Sequence, residues 1–201
     1  MRKVLPMVIL IQVLLLAAAG FGGSGKLLLN VQTEPSPWGE PRIYEKLETL
    51  LSRDGRFEIV PADNRSGMFP TFPEARNNVD SMVNWGQEAG GRYLLTVTVD
   101  SERLERKKTF NLPLIFHKWE TVGIIEGEVR LYDVPRGKQL MAEPFRVELT
   151  GPRAFQATPD DNKHDPSLNL SAVQKLTFFG DLEQKLADRL TTRTFEALRN
   201  R

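Results

Sequence analysis

No cysteine occurs among the 201 residues, which excludes a disulfide scaffold, a thiolate zinc site, a thiol nucleophile and a lipidated cysteine. A surplus of charge is missing too, since 27 Lys+Arg face 26 Asp+Glu. Arg2 and Lys3 belong to an apolar leader without an acid, so the 182 residues after Ala19 carry 25 basic and 26 acidic side chains, net −1. A nucleic-acid binder needs a basic surplus to neutralise phosphates and release counterions. Nucleic acid is therefore not an expected partner. What remains is long enough for one domain with its own core.

The leader opens with Arg2-Lys3 and continues through residues 4–16 with only Pro6 and Gln12 breaking the apolar run, before Ala17-Ala18-Ala19. A positive end, an apolar stretch and small residues before a cut are the order of a secretory signal, which predicts a signal peptide over residues 1–19 and export to the periplasm or beyond. The competing expectation is an uncleaved anchor, because residues 4–25 carry no charge and are just long enough to span a bilayer. Residues 20–26 match G-x-x-x-x-G-K, but a phosphate-binding loop needs a strand before it and Ser/Thr after the Lys. Leu27 follows here, so this stretch is expected to be a flexible linker.

From Leu27 onward, apolar periodicity marks the elements. Leu27 to Val31 has a strand's length. Ile43, Leu47, Leu50 and Leu51 recur at helical spacing before Gly55, which predicts a helix over 41–53. Phe57 to Val60 is a second strand, and Val79, Met82, Val83 and Gly86 mark one face of a second helix, with Gly86 allowing close approach to the sheet. Residues 93–99 form the strongest strand. In residues 121–131, Ile125, Gly127, Val129 and Leu131 alternate with Glu126, Glu128 and Arg130, the pattern of a half-buried antiparallel strand. A Pro135-Arg136-Gly137-Lys138 turn leads to a returning strand over 140–149, with Phe145, Val147 and Leu149 inward. Leu182, Leu186 and Leu190 begin a last helix, with Gly180-Asp181 expected at its start. The order β-α-β-α-β-β-β-α predicts an α/β (α+β) domain over residues 27–201, a mixed sheet of about five strands with helices packed on it.

Three strings in that order carry a resemblance. They are Leu50-Leu-Ser-Arg-Asp-Gly-Arg-Phe-Glu-Ile-Val60, Ala89-Gly-Gly-Arg-Tyr-Leu-Leu-Thr96, and Glu128-Val-Arg-Leu-Tyr-Asp-Val-Pro-Arg-Gly-Lys-Gln-Leu140. Together they resemble a group of cell-envelope assembly domains that includes the curli-secretion channel lipoproteins (CsgG-like) and the amino-terminal domain of the Tol-system propeller protein (TolB). The resemblance covers residues 27–150 and the closing helix, and implies an envelope protein that works through protein partners. Val97 stands where the group often has Gly, and Pro135-Arg136 precedes Gly137 in place of x-Thr. The segment after the third strand is also too short for the long hairpins from which the channels build a barrel.

Catalytic constellations are not evident. No G-x-S-x-G occurs, and His117 and His164 both sit in polar, loop-like contexts. Residues 160–165 gather oxygens and one imidazole but lack the ligand spacing and glycine of a calcium loop. Glu126 and Glu128 share a strand face, where alternating solvated charge accounts for them. No cofactor or metal is expected, and no enzymatic activity.

Residues 109–119 differ. Phe110, Leu112, Ile115, Phe116 and Trp119 cluster around Pro113 between charged flanks, and apolar surface of this kind marks a partner or membrane contact. Burial over the sheet is the other outcome. The basic run over 103–108 adds attraction for anionic lipid or an acidic partner. The sequence thus predicts a non-enzymatic exported module that binds an envelope protein in assembly or transport. The alternative is a membrane-associated homo-oligomer, a reduced relative of the secretion channels.

Overall fold

A computed structural model of the chain describes residues 25–33, 41–62, 78–112, 116–156 and 170–200, and for 108–112, 116–119 and 152–156 the backbone alone. The elements follow as β1 (Gly25–Thr33), α1 (Ile43–Ser52), β2 (Phe57–Pro61), α2 (Val79–Glu88), β3 (Tyr93–Leu112), β4 (Phe116–Asp133), β5 (Lys138–Gln156) and α3 (Ala172–Arg199). This is the expected order. One five-stranded sheet runs β2-β1-β3-β4-β5, with β1 parallel to both β2 and β3 and with β3, β4 and β5 antiparallel. The parallel pairs need helical crossovers, which α1 and the α2 region supply, whereas tight turns suffice for the rest.

The sheet is packed on both faces. Leu27, Leu29, Leu95, Val97, Ile125, Val129 and Leu131 meet Ile43, Leu47 and Leu51 of α1 and Leu182, Leu186 and Leu190 of α3. On the other face Leu28, Leu94 and Tyr132 meet Met82, Val83 and Trp85 of α2. Leu27, Leu28 and Leu29 are all fully buried, which is why this run does not alternate: a strand covered on both faces reads as continuously apolar. Gly86 does bring α2 close to the sheet, since a Cβ there would lie 2.8 Å from Val134 Cγ2. Gly137 has φ +60 in the turn between β4 and β5.

Five boundaries differ from the sequence expectation. β1 starts at Gly25, inside the segment expected to be a linker. β3 continues past Val99 to Leu112, and β5 past Leu149 to Gln156. β4 begins at Phe116, so His117 lies on a strand, paired with Asn111 and Gln156, and not in a loop. Helix α3 starts at Ala172, well before Gly180-Asp181. Its cap is Ser171, whose side chain accepts the Gln174 N–H at 3.2 Å while Gln174 accepts the Ser171 N–H at 2.8 Å. This reciprocal box satisfies two otherwise orphaned donors, and Gly180 is carried inside a helix of 28 residues. The leader, residues 20–24, Ile115, His164 and residues 160–165 lie outside the described residues.

Candidate functional site

The three antiparallel strands are long because their two faces are stabilised differently along their length. The face toward α1 and α3 is apolar as far as Leu104 and Ile125. On the opposite face, beyond α2, ion pairs replace hydrophobic cover. Arg103 Nη1 donates to Glu126 Oε2 at 2.6 Å and to Ser101 Oγ at 2.8 Å, and Arg103 Nε donates to Glu105 at 2.8 Å. Arg146 pairs with both Glu126 and Glu148, and Lys107 with Glu148 at 2.9 Å. Opposite charges on neighbouring strands add to pairing at each rung. Within the basic run at 103–108, Arg103 and Lys107 are thus paired with carboxylates on β4 and β5.

This ladder also sets the state of the two carboxylates. The hydrogen bond from Arg103, joined by Arg146, holds Glu126 below the usual glutamate range, and Lys107 with Arg146 does the same to Glu148. Glu128 pairs with Arg130 at 2.8 Å. Glu126 and Glu128 thus each stand in an ion pair, Glu126 with Arg103 and Arg146 and Glu128 with Arg130.

The free edge of β5 is closed by α3. Lys185 Nζ donates to the Glu148 carbonyl at 2.9 Å, Arg189 Nη1 to the Arg146 carbonyl at 2.8 Å, and Arg193 pairs with the Glu143 carboxylate at 3.1 Å. Spacing of four residues places the three cations on one side of the helix. Pro144 precedes Arg146 by two and shares its outward parity, where it offers no N–H. Unpaired edge groups template pairing with other chains, and prolines and cations remove them.

The closure ends where α3 stops following the sheet. A Cβ on Gly123 would lie 2.5 Å from the Phe178 ring and 3.0 Å from Leu182, and one on Gly151 would lie 3.3 Å from Phe178. Phe178 therefore seats directly on backbone. Outward of this seat, β3 and β4 stay paired up to Leu112 opposite Phe116. Phe110, Leu112 and Phe116 occupy backbone positions on one face of the hairpin, and Trp119, opposite Lys108, a position on the other. The first turns of α3 point the same way, and there Val173 and Leu176 are 72% and 62% exposed. No sequence pattern had singled out these two. Their polar neighbours Gln174, Lys175 and Thr177 hid a pair at i and i+3.

Among the described residues no helix is long and apolar enough to cross a membrane. Fold and surface together define a two-faced mixed-sheet domain with one closed edge and a long antiparallel extension, with Val173 and Leu176 of α3 exposed toward its end. No family model matches the chain, and no curated protein matches it. Among solved structures, it is similar to the rare lipoprotein B of Shewanella oneidensis, at 16% identity, 86% of this chain, 97% of that one and TM-score 0.41. It is also similar to the hypothetical protein CT253 of Chlamydia trachomatis, at 10% identity, 84% and 96% coverage and TM-score 0.48. Similarity to TolB of Acinetobacter baumannii, at 20% identity and TM-score 0.36, takes in 78% of this chain and 29% of that longer one. The function proposed below rests on the chain's own residues.

Proposed function

We propose that this chain is a non-enzymatic, exported interaction module of the cell envelope that binds a protein partner with the end of its antiparallel extension. One observation carries the proposal: residues 110–112 and 116–118 continue the β3–β4 pairing beyond the Phe178 seat, at the end where Val173 and Leu176 are exposed. Apolar surface gathered at one end of an otherwise charged domain is the ordinary mark of a binding site. The secretory leader supplies the compartment, and the three resembling strings supply the envelope context.

The test compares Phe116→Ala/Trp119→Ala with the unaltered chain, measuring stability and capture of envelope proteins side by side. A partner surface leaves stability within about 0.5 kcal/mol while capture falls, since interface aromatics carry about 2 kcal/mol or more each. A stability loss of about 3–5 kcal/mol per truncation, the cost of emptying a core site, with capture unchanged, overturns it.

A further inference from the structure

The opposite end of the sheet holds a different kind of surface. An open concavity of about 410 Å³ is lined by Lys26, Arg92, Asp133, Arg136 and the Gly90-Gly91 turn. Backbone bonds set its side chains in a row: the Arg92 N–H donates to the Lys26 carbonyl at 2.9 Å, and the Val134 N–H to the Arg92 carbonyl at 3.1 Å. The starts of β1 and β3 and the turn after β4 thus meet at one rim. Lys138, in register with Asp133, adds a fourth cation to that rim.

Against these four cations stand Asp133, which lines the concavity, and Glu58, in register with Lys26 on β2. Asp133 is 4% exposed and is already engaged by Arg136, through its N–H at 3.4 Å and its guanidinium at 3.5 Å. Lys26 and Arg92 have no carboxylate partner among the described residues; Arg92 lies 5.6 Å from the Tyr93 ring centroid. The nearby end of α2 does little to oppose an anion. Its Trp85, Gly86 and Gln87 carbonyls are taken by the N–H groups of Ala89, Gly91 and Gly90.

We infer that this basic end docks onto the phosphate headgroups of an anionic bilayer. Charge favours it, because cations near a phosphate-bearing surface are attracted at every rung and arginine pairs with phosphate through two parallel bonds. Chain direction favours it as well. β1 enters the fold at this rim through Gly25, and only five residues separate it from the apolar residues 4–19, so an attached leader brings this end to the membrane. The hairpin end then projects away from the bilayer by roughly 60 Å, the length of a twenty-residue strand at about 3.3 Å per residue. Docking here is independent of the partner surface at the other end.

The chain lacking residues 1–19 keeps every described element and is the form to test, by co-sedimentation with phosphatidylcholine vesicles made with and without phosphatidylglycerol. Binding is expected only with phosphatidylglycerol, and to weaken with added salt. Lys26→Gln/Arg92→Gln/Arg136→Gln lowers the partition about a hundredfold, or about fivefold for each cation removed. Lys107→Gln/Lys108→Gln/Lys118→Gln, near the far end, leaves it unchanged. Should the triple variant fail to fold, Arg136→Gln alone, at a side chain 62% exposed, still gives the fivefold drop. Full binding by the rim variants, loss confined to the far-end variant, or saturation of the rim by inorganic phosphate without vesicle association each overturns the inference. Vesicle binding without capture of any partner overturns the proposed function alone.

Discussion

Arg189 donates from Nη1 to the backbone carbonyl of Arg146 at 2.8 Å, so a helix side chain occupies an acceptor that the edge strand would otherwise present outward. Lys185 repeats the arrangement at Glu148. Lys185→Gln/Arg189→Gln is expected to reopen that edge. Folding stability falls by less than about 1 kcal/mol per side chain, because both sites are exposed, yet light scattering shows concentration-dependent association that the unaltered chain lacks. A strictly monomeric variant at every concentration counts against edge closure.

Glu183 holds α1 to α3. It is 6% exposed, its Oε2 lies 2.9 Å from Lys46 Nζ, and its Oε1 accepts the Arg42 N–H at 3.0 Å. Lys46 also donates to the Gly180 carbonyl at 2.5 Å. Glu183→Ala leaves a mostly buried ammonium and a helix-terminal N–H without their acceptor, at a cost of about 3 kcal/mol in chemical denaturation. Lys46→Met/Glu183→Leu recovers most of that loss, because replacing both charges with apolar groups removes the unpaired one.

Two glycines separate backbone strain from lack of room. At Gly137 nothing lies within 4 Å of an added Cβ, but φ is +60; Gly137→Val costs about 1–2 kcal/mol and Gly137→Asn much less, because Asn tolerates the left-handed region. Gly123 has no room, and Gly123→Val costs about 1–3 kcal/mol by overpacking. Phe178→Ala in the same chain reduces the Gly123→Val penalty and leaves that at Gly137 unchanged, a result read from melting of the double variants.

Acid should act on the ladder. Glu126 and Glu148 have pKa values lowered in the folded chain by Arg103 and Lys107, with Arg146 contributing to both. Their contribution is present above the unfolded glutamate value of about 4.3 and is lost as pH falls through the lower folded values. Carboxyl titration by NMR is expected to place both midpoints below 4.3, and Glu126→Gln/Glu148→Gln to flatten the fall in stability below that pH. Midpoints at or above 4.3 contradict the pairing.

Periodicity revealed the order of the elements because both cores are built from it: Leu182, Leu186 and Leu190 at 0–1% exposure, Ile125 and Leu131 at 0%. It stopped short of the strand ends for the same reason. Between Ser101 and Lys107 the sheet is held by Arg103 and Lys107 against Glu126 and Glu148, with Glu105 bonded to Arg103 along the same strand, so hydrophobic alternation is lost although pairing is not. At α3 the unfavourable propensity of Gly180 outweighed the Ser171–Gln174 box written in the same sequence. The stripe of Lys185, Arg189 and Arg193 was visible, but what faced it depends on the tertiary path. The basic rim was the least legible part, since Lys26, Arg92 and Arg136 come from three separate segments.

The parallel pairing of β1 with β3 gives the chain a timing problem. Leu27 pairs with Ile59 of β2 on one side and with Tyr93 of β3 on the other, so the first strand to leave the ribosome waits 66 residues for the neighbour that joins it to the rest of the sheet. At roughly 5–20 residues per second that interval is about 3–13 s, during which a run of three leucines that ends fully buried has at most the five-residue β2 beside it. The β3–β4–β5 meander closes through turns of a few residues and forms quickly once it is made. Insertion of β1 beside it is then the late event, and the step most open to interception by a chaperone.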